Sequence, residues 1–329
     1  MNVTVIGTGG WGTALAVLLH RNGHRVTLWG RSADEVEPIV RDRENKRFLP
    51  GVPVPLEVRI VLDMATAAAG ADAIVLAVPS HGMRNIARQL SPLLRPKCHL
   101  VHVAKGIEVE TTARMTQVIA EETGRHDCMV LSGPSHAEEV GRGIPTAVVL
   151  AGRDATQCER ARPLFMNDRF RVYTHDDVTG VELGGAIKNV LAIAAGVCDG
   201  LGFGDNTKAA LCTRGLAEMA RLGVALGARR ETFFGLSGLG DLVVTAFSRH
   251  SRNRAFGERL GRGETAEQIL ASTVTVAEGV KTARSVMALA KSHNVEMPIC
   301  REVHAIIYER KPPLLAMRDL MNREARPEF

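Results

Sequence analysis

Short β-branched runs alternate with helical periodicity through the first half of the chain, and the alternation stops near residue 177. The runs predict strands at Asn2–Ile6, Arg25–Trp29, Val58–Val61, Ala73–Val78, His99–Val103, Cys128–Leu131, Thr146–Leu150 and Arg169–Tyr173. Apolar positions spaced for helices fall between them at Trp11–Arg21, Ala33–Arg41, His81–Leu90, Thr111–Glu122 and Ala155–Met166. That order is the signature of a parallel sheet with crossover helices, an α/β doubly wound domain of the Rossmann-like kind. Asp42–Pro55, with four proline and glycine positions, reads as an excursion over the surface. Beyond Asp177 only helical spacing remains: Thr179–Cys198, Asn206–Leu226, Leu239–Phe247, Arg252–Leu260, Val276–Ser292, Ile299–Tyr308 and Pro313–Arg323. Two domains are therefore expected, residues 1–177 around the sheet and an all-α domain over residues 178–329.

A chain of 329 residues accommodates two cores, and 45% hydrophobic against 23% charged residues is an ordinary globular balance. MNVTVIGTGGWG lacks a cationic leader and reads as a strand rather than a signal peptide. No uninterrupted apolar run is long enough to cross a membrane, so no integral membrane contact is expected. The six cysteines are spread out and form no CxxC, which argues for reduced thiols, a cytoplasmic location and no metal site. A net charge of +5 attracts anions. The basic residues are dispersed and only 4% of residues are aromatic, so a phosphorylated small molecule is a better partner than nucleic acid.

GTGGWG, Gly7 to Gly12, follows the first strand and opens the first helix. In that context Gly7 permits the turn, Gly9 lets the backbone approach a pyrophosphate, Gly12 packs helix on strand, and the amides of Gly10 and Trp11 face the phosphates. The second strand ends Leu28-Trp29-Gly30-Arg31 without a carboxylate for a ribose, and Arg31 is placed to meet a 2′-phosphate. NADPH or NADH is the expected cofactor, with NADPH preferred. Other strand ends carry Pro79-Ser80, Lys105-Gly106 and Ser132-Gly133-Pro134-Ser135 at the side where ligands bind in open sheets.

VELGGAIKNVLAIAAGVC, Val181 to Cys198, is apolar or small on nearly every side, with Lys188 as its one cation. Its helical neighbours Gly184, Gly185, Leu191, Ala192 and Ala195 supply no carboxylate. Such a lysine either snorkels to solvent or exchanges a proton near neutral pH, because desolvation disfavours its charged form. Further on, Asp241, Thr245, Ser248 and Arg252 would form one polar stripe if a single helix continued through them. Ser251, Arg252 and Asn253 form a donor cluster suited to a phosphate.

Taken together, GTGGWGTALA, HVAKGIE, LSGPSHAEEV, ELGGAIKNVLAIAAG, GDNTKAALCTRGLAEM, GLSGLGDLVVT, SRHSRNRAFG and VAEGVKT resemble the NAD(P)-dependent glycerol-3-phosphate dehydrogenase family, bacterial type. The resemblance implies that Lys188 donates and accepts the proton beside Asn189. It also implies that Lys105 lies near the substrate oxygen with Gly133 and Ser135, and that Asp241 orients and charges the lysine pair beside Thr245. Ser251, Arg252 and Asn253 would hold the substrate phosphate. Gly10, Trp11, Arg31, Lys105, Ala137, Arg252, Val276 and Glu278 would contact the cofactor. It further implies a homodimer and a role in supplying glycerol phosphate for phospholipids. Position 10 departs from the family, where many members have serine. A related hydroxyacid or 6-phosphogluconate dehydrogenase, or a dinucleotide-sensing regulator, are the rival readings.

Overall fold

The computed structural model describes every residue except 274–276, 326 and 329. It divides into two compact units, Met1–Glu108 with Ala113–Glu182, and Val109–Thr112 with Leu183–Phe329.

The first unit runs β1 (Asn2–Ile6), α1 (Gly10–Arg21), β2 (Arg25–Trp29), α2 (Ala33–Asp42), β3 (Arg59–Val61), α3 (Met64–Ala68), β4 (Ala73–Leu76), α4 (Met83–Leu90), β5 (His99–His102), α5 (Met115–Thr123), β6 (Met129–Ser132), α6 (Ala137–Gly141), β7 (Thr146–Ala151), α7 (Ala155–Phe165) and β8 (Phe170–His175). These strands form one eight-stranded sheet among the described residues, in the order β3-β2-β1-β4-β5-β6-β7-β8. Ile6 lies opposite Trp29 on one side and Leu76 on the other, so the strand order reverses beside the end of β1. Side chains alternate between the two faces as the pleat requires: along β4, Ala73 and Val75 join one buried cluster, Ile74 and Leu76 the other. Because both of its faces are covered, the central strand β4 reads as an unbroken apolar run, AIVL.

Three features of the first unit differ from the expectation. β7 pairs antiparallel with β6, so the sheet is not parallel throughout. The connection between them holds only the five-residue α6, whereas the sequential parallel neighbours in this sheet are joined through helices of eight residues or more. The segment 42–55 is not a surface excursion: Leu49, Val52 and Val54 are buried in the core cluster, and Asn45 is buried beneath the glycine turn. The helix expected from Thr111 begins at Met115, since Thr112 adopts φ 59° and Ile107 bridges to Arg114.

The second unit is helical. It takes α8 (Val178–Gly200) from Leu183 onward, then α9 (Asp205–Ala225), α10 (Asp241–Phe247), α11 (Arg252–Gly261), α12 (Ala266–Ser272), α13 (Glu278–Ser292), α14 (Pro298–Tyr308) and α15 (Pro313–Met321). The division thus falls within α8 rather than ahead of it. α8 is long and apolar enough to span a bilayer by length and composition, though Glu182 and Lys188 interrupt its apolar run, and its apolar window is entirely buried in protein. The single stripe through Asp241 and Arg252 does not form either, because α10 ends at Phe247 and α11 starts at Arg252. α8 and α11 pack backbone to backbone. A Cβ on Gly196 would sit 1.9 Å from the Arg254 carbonyl oxygen, and one on Gly257 would sit 2.0 Å from that of Ile193. Only glycine permits that approach.

Candidate active site

In the first unit the chain leaves β1 through Gly7, whose φ of 122° belongs to glycine. A Cβ on Gly12 would fall 2.0 Å from the Gly7 oxygen, so both glycines are required by the turn itself. Gly9 then caps α1 in extended conformation, with no side-chain cap and no acid in the first turn. The first amides of a helix point outward, and the macrodipole makes that end positive. A Cβ on Gly9 would meet no atom within 4 Å, so the turn leaves open approach to the backbone, as a pyrophosphate requires. At Gly10 a Cβ would lie 2.6 Å from the Phe48 oxygen, which accounts for glycine at this position. Trp11 is half-buried against the core. These residues fit a dinucleotide phosphate.

The turn is braced by a residue that the sequence did not single out. The Asn45 side-chain amide donates to the Thr8 carbonyl at 2.7 Å and to Thr13 Oγ1 at 2.8 Å, while its Oδ1 accepts from the Phe48 amide. Beyond β2, Arg31 is exposed and pairs with Glu35 at 3.0 Å, and Glu35 also accepts from Thr8 Oγ1. The guanidinium is therefore presented to solvent next to the glycine turn's own hydrogen-bond partner.

At the end of β5, Lys105 Nζ donates to the Gly133 carbonyl at 2.9 Å and lies 3.4 Å from Ser135 Oγ. Ser135 donates to the same carbonyl. The three residues are brought together, with Gly133 held at φ 131°. Ala137 opens α6 and packs on the same core as α1. Ser80, by contrast, is buried. Three residues before Lys105, as the last residue of β5, His102 has its Nε2 3.2 Å from Glu182, which also accepts from Arg114 and from the Thr116 amide and hydroxyl. Burial would push the Glu182 carboxyl up, but His102, Arg114 and Thr116 outweigh it and hold it at about 2.

The second unit gathers a different set. Lys188 is only 6% exposed, and Nζ donates to Thr245 Oγ1 at 2.7 Å. Asp241 Oδ1 lies 3.0 Å from the same nitrogen, and Thr245 in turn donates to the Asp241 carbonyl at 2.6 Å. The lysine does not snorkel. Its carboxylate comes from α10 because Gly184, one turn earlier on the same face of α8, lets the Ser237 carbonyl come to 2.8 Å from where a Cβ would stand. That contact carries the GLSGLGD turn across α8 and sets Asp241, the first residue of α10, opposite Lys188.

Asn189 and Asn253 are joined amide to amide, Asn253 Nδ2 donating to Asn189 Oδ1 at 2.8 Å. Asn253 Oδ1 accepts from the Gly279 amide, so Glu278 at the start of α13 is tied to the same pair. Ser251 caps α11 by accepting from the Arg254 amide, and Arg252 stands exposed as the first residue of that helix. Val276 lies outside the described residues. No group of three or more histidine, cysteine or acidic residues arranged for a metal occurs among the described residues.

Comparison with known proteins bears on both units. A family model described as the N-terminus of NAD-dependent glycerol-3-phosphate dehydrogenase matches residues 2–158, and its C-terminal counterpart matches residues 177–318. A protein of Pelotomaculum thermopropionicum named glycerol-3-phosphate dehydrogenase (NAD(P)+) is 50% identical over 98% of this chain and 93% of its own length. A Thermoanaerobacter protein of the same name is 48% identical over 100% of this chain and 99% of its own. Among solved structures, glycerol-3-phosphate dehydrogenase of Coxiella burnetii superposes with a TM-score of 0.94 at 39% identity, covering 98% of this chain and 99% of that one.

Proposed function

Because the chain belongs to the NAD-dependent glycerol-3-phosphate dehydrogenase family and is an NAD(P)-dependent oxidoreductase, we propose that Lys188 is the proton donor for reduction of dihydroxyacetone phosphate to glycerol 3-phosphate. The observation that carries this reading is the burial of Lys188 with its nitrogen fixed by Thr245 and Asp241.

Gly7, Gly9, Gly10, Trp11 and Gly12 would hold the cofactor phosphates, with Ala137, Glu278 and Val276 as further contacts. Arg31 favours the 2′-phosphate form, because its guanidinium is exposed and fits phosphate geometry. When bound, the nicotinamide supplies the hydride. Lys188 stabilises the negative charge that develops on the carbonyl oxygen and gives up its proton there; in the reverse direction the neutral amine takes the proton from the alcohol. Asp241 provides the counter-charge that keeps the buried ammonium from being uncompensated. Thr245 fixes Nζ by accepting one of its hydrogens. Lys105, steadied on Gly133 and Ser135, adds positive charge near the substrate oxygen. Arg252 and Asn253 take the phosphate with Ser251, and Asn189 orients Asn253.

The same reading makes the enzyme a source of glycerol phosphate for phospholipids, a homodimer and a cytoplasmic protein. All six cysteines are free and buried, which suits a reducing compartment. The test is spectrophotometric: NADPH oxidation with dihydroxyacetone phosphate, repeated with NADH and with a 3-hydroxyacid's ketone. Rapid turnover of the phosphate ester alone supports the assignment, and preference for the acid overturns it.

A further inference from the structure

The turn 248–251 joins α10 to α11 and leads directly into Arg252 and Asn253; inside it the Ser251 amide donates to the Ser248 carbonyl at 3.2 Å and the His250 amide to Ser248 Oγ at 3.0 Å, but its tie to the rest of the helical unit lies outside it. The tie comes from Arg254. Its Nε donates to the Ser248 carbonyl at 3.1 Å, its main-chain amide donates to Ser251 Oγ at 3.1 Å, and NH1 donates to Asp199 Oδ2 at 2.6 Å. One residue thus grips both ends of the turn and anchors them to the far end of α8. Asp199 is itself fixed by Lys208 Nζ at 2.9 Å, and that ammonium sits 4.5 Å above the Phe247 ring, the last residue before the turn. Glu258 lies 3.1 Å from the same guanidinium one turn along α11. The Arg254 side chain is mostly buried and Asp199 largely so, where charge-assisted hydrogen bonds hold geometry best. The Arg254 backbone is pressed against Gly196, so the main chain cannot slide to compensate.

We infer that Arg254, anchored by Asp199, is a positioning residue for substrate phosphate: it holds the 248–251 turn so that Arg252 and Asn253 meet the phosphate in a fixed geometry. It rests on the phosphate role proposed above for Arg252. Arg254 itself does not touch substrate. Its Nε and NH1 are engaged by the Ser248 carbonyl, Asp199 and Glu258.

The experiment compares the full-length Arg254→Gln, Arg254→Lys, Asp199→Asn and Arg252→Ala enzymes. For each, the measurements are kcat, the KM values for dihydroxyacetone phosphate and NADPH, and the Ki of inorganic phosphate against the substrate. Arg254→Gln is expected to raise the substrate KM and the phosphate Ki together by about tenfold, leaving kcat and the NADPH KM within about twofold. Arg254→Lys should fall between native and Gln, since it keeps the charge for Asp199 but lacks the fork that places separate donors, Nε and NH1, on the Ser248 carbonyl and Asp199. A purely structural role would lower the active fraction, so kcat would drop with KM and Ki unchanged; that result overturns the inference. Should Arg254→Gln be misfolded by circular dichroism, Asp199→Asn, which keeps the shape and removes the charge, must show the same rise or the inference fails. If Arg252→Ala moves neither constant, the phosphate assignment itself is wrong. If Arg252→Ala moves both and Arg254→Gln neither, only the positioning role is lost.

Discussion

Asp241 Oδ1 stands 3.0 Å from Lys188 Nζ, two buried charges brought from separate helices into one contact that Thr245 closes from the other side. Removing one partner of a buried pair leaves the other uncompensated. Asp241→Asn keeps the shape and removes the counter-charge, so it should lower kcat about a hundredfold while the NADPH KM stays within about twofold. Steady-state kinetics check this, and an unchanged kcat would detach Asp241 from the lysine's chemistry.

Arg31 is exposed, with its guanidinium on Glu35. Arg31→Glu puts a carboxylate where a 2′-phosphate would sit, which repels NADPH and can accept from a ribose hydroxyl. The ratio of kcat/KM for NADPH to that for NADH should fall by about tenfold or more. A ratio that does not move would show that Arg31 is a solvated surface residue.

The α8–α11 contact leaves no room for a methyl group at Gly196, whose Cβ would stand 1.9 Å from a carbonyl oxygen. Gly196→Ala should cost about 1–3 kcal/mol, as overpacking does. For a domain of about 150–250 residues that corresponds to a fall in Tm of roughly 2–4 °C per kcal/mol. Gly204→Ala, whose Cβ meets nothing within 4 Å, is the control. Thermal melts of the two variants decide.

Glu218 is buried beneath the start of α14, where it accepts from the Ile299 and Cys300 amides. Burial pushes its carboxyl up to about 7, the amides and Arg221 offsetting only part of that. A carboxyl raised in the folded state binds its proton more tightly there than in the unfolded chain. Its contribution to stability is therefore full below the ordinary carboxylate range and is lost as pH rises to about 7. Glu218→Gln should remove this dependence, so the difference in unfolding free energy between the variant and the native enzyme should change by about 1 kcal/mol per pH unit across that window. A difference that is flat with pH would contradict the shift.

The alternation of strand and helix was legible because the central strands are buried on both faces and rich in apolar residues, and α8 stood out because it is buried on every side. The glycine turn was legible because its spacing is dictated by backbone contacts within a few residues, Gly12 against Gly7. What escaped is long-range. Asn45 sits among charges and prolines that look like surface, but it is buried by the turn it braces. Asp199 and Arg254 meet only after α8 and α11 have packed, so neither spacing nor composition announces them. α3 and α6 are five residues each, too short for a helical period to register. The reversal at β7 escaped because strand direction is set by the connection, which leaves no mark on the strand's own pattern.

In the proposed mechanism one buried amine handles the proton. Its most direct test is Lys188→Ala, assayed at saturating NADPH and dihydroxyacetone phosphate, with NADPH binding followed by nucleotide fluorescence. The expected result is a loss in kcat of about a thousandfold or more with NADPH affinity within about twofold of native. Turnover within tenfold of native, with the same cofactor affinity, would contradict it.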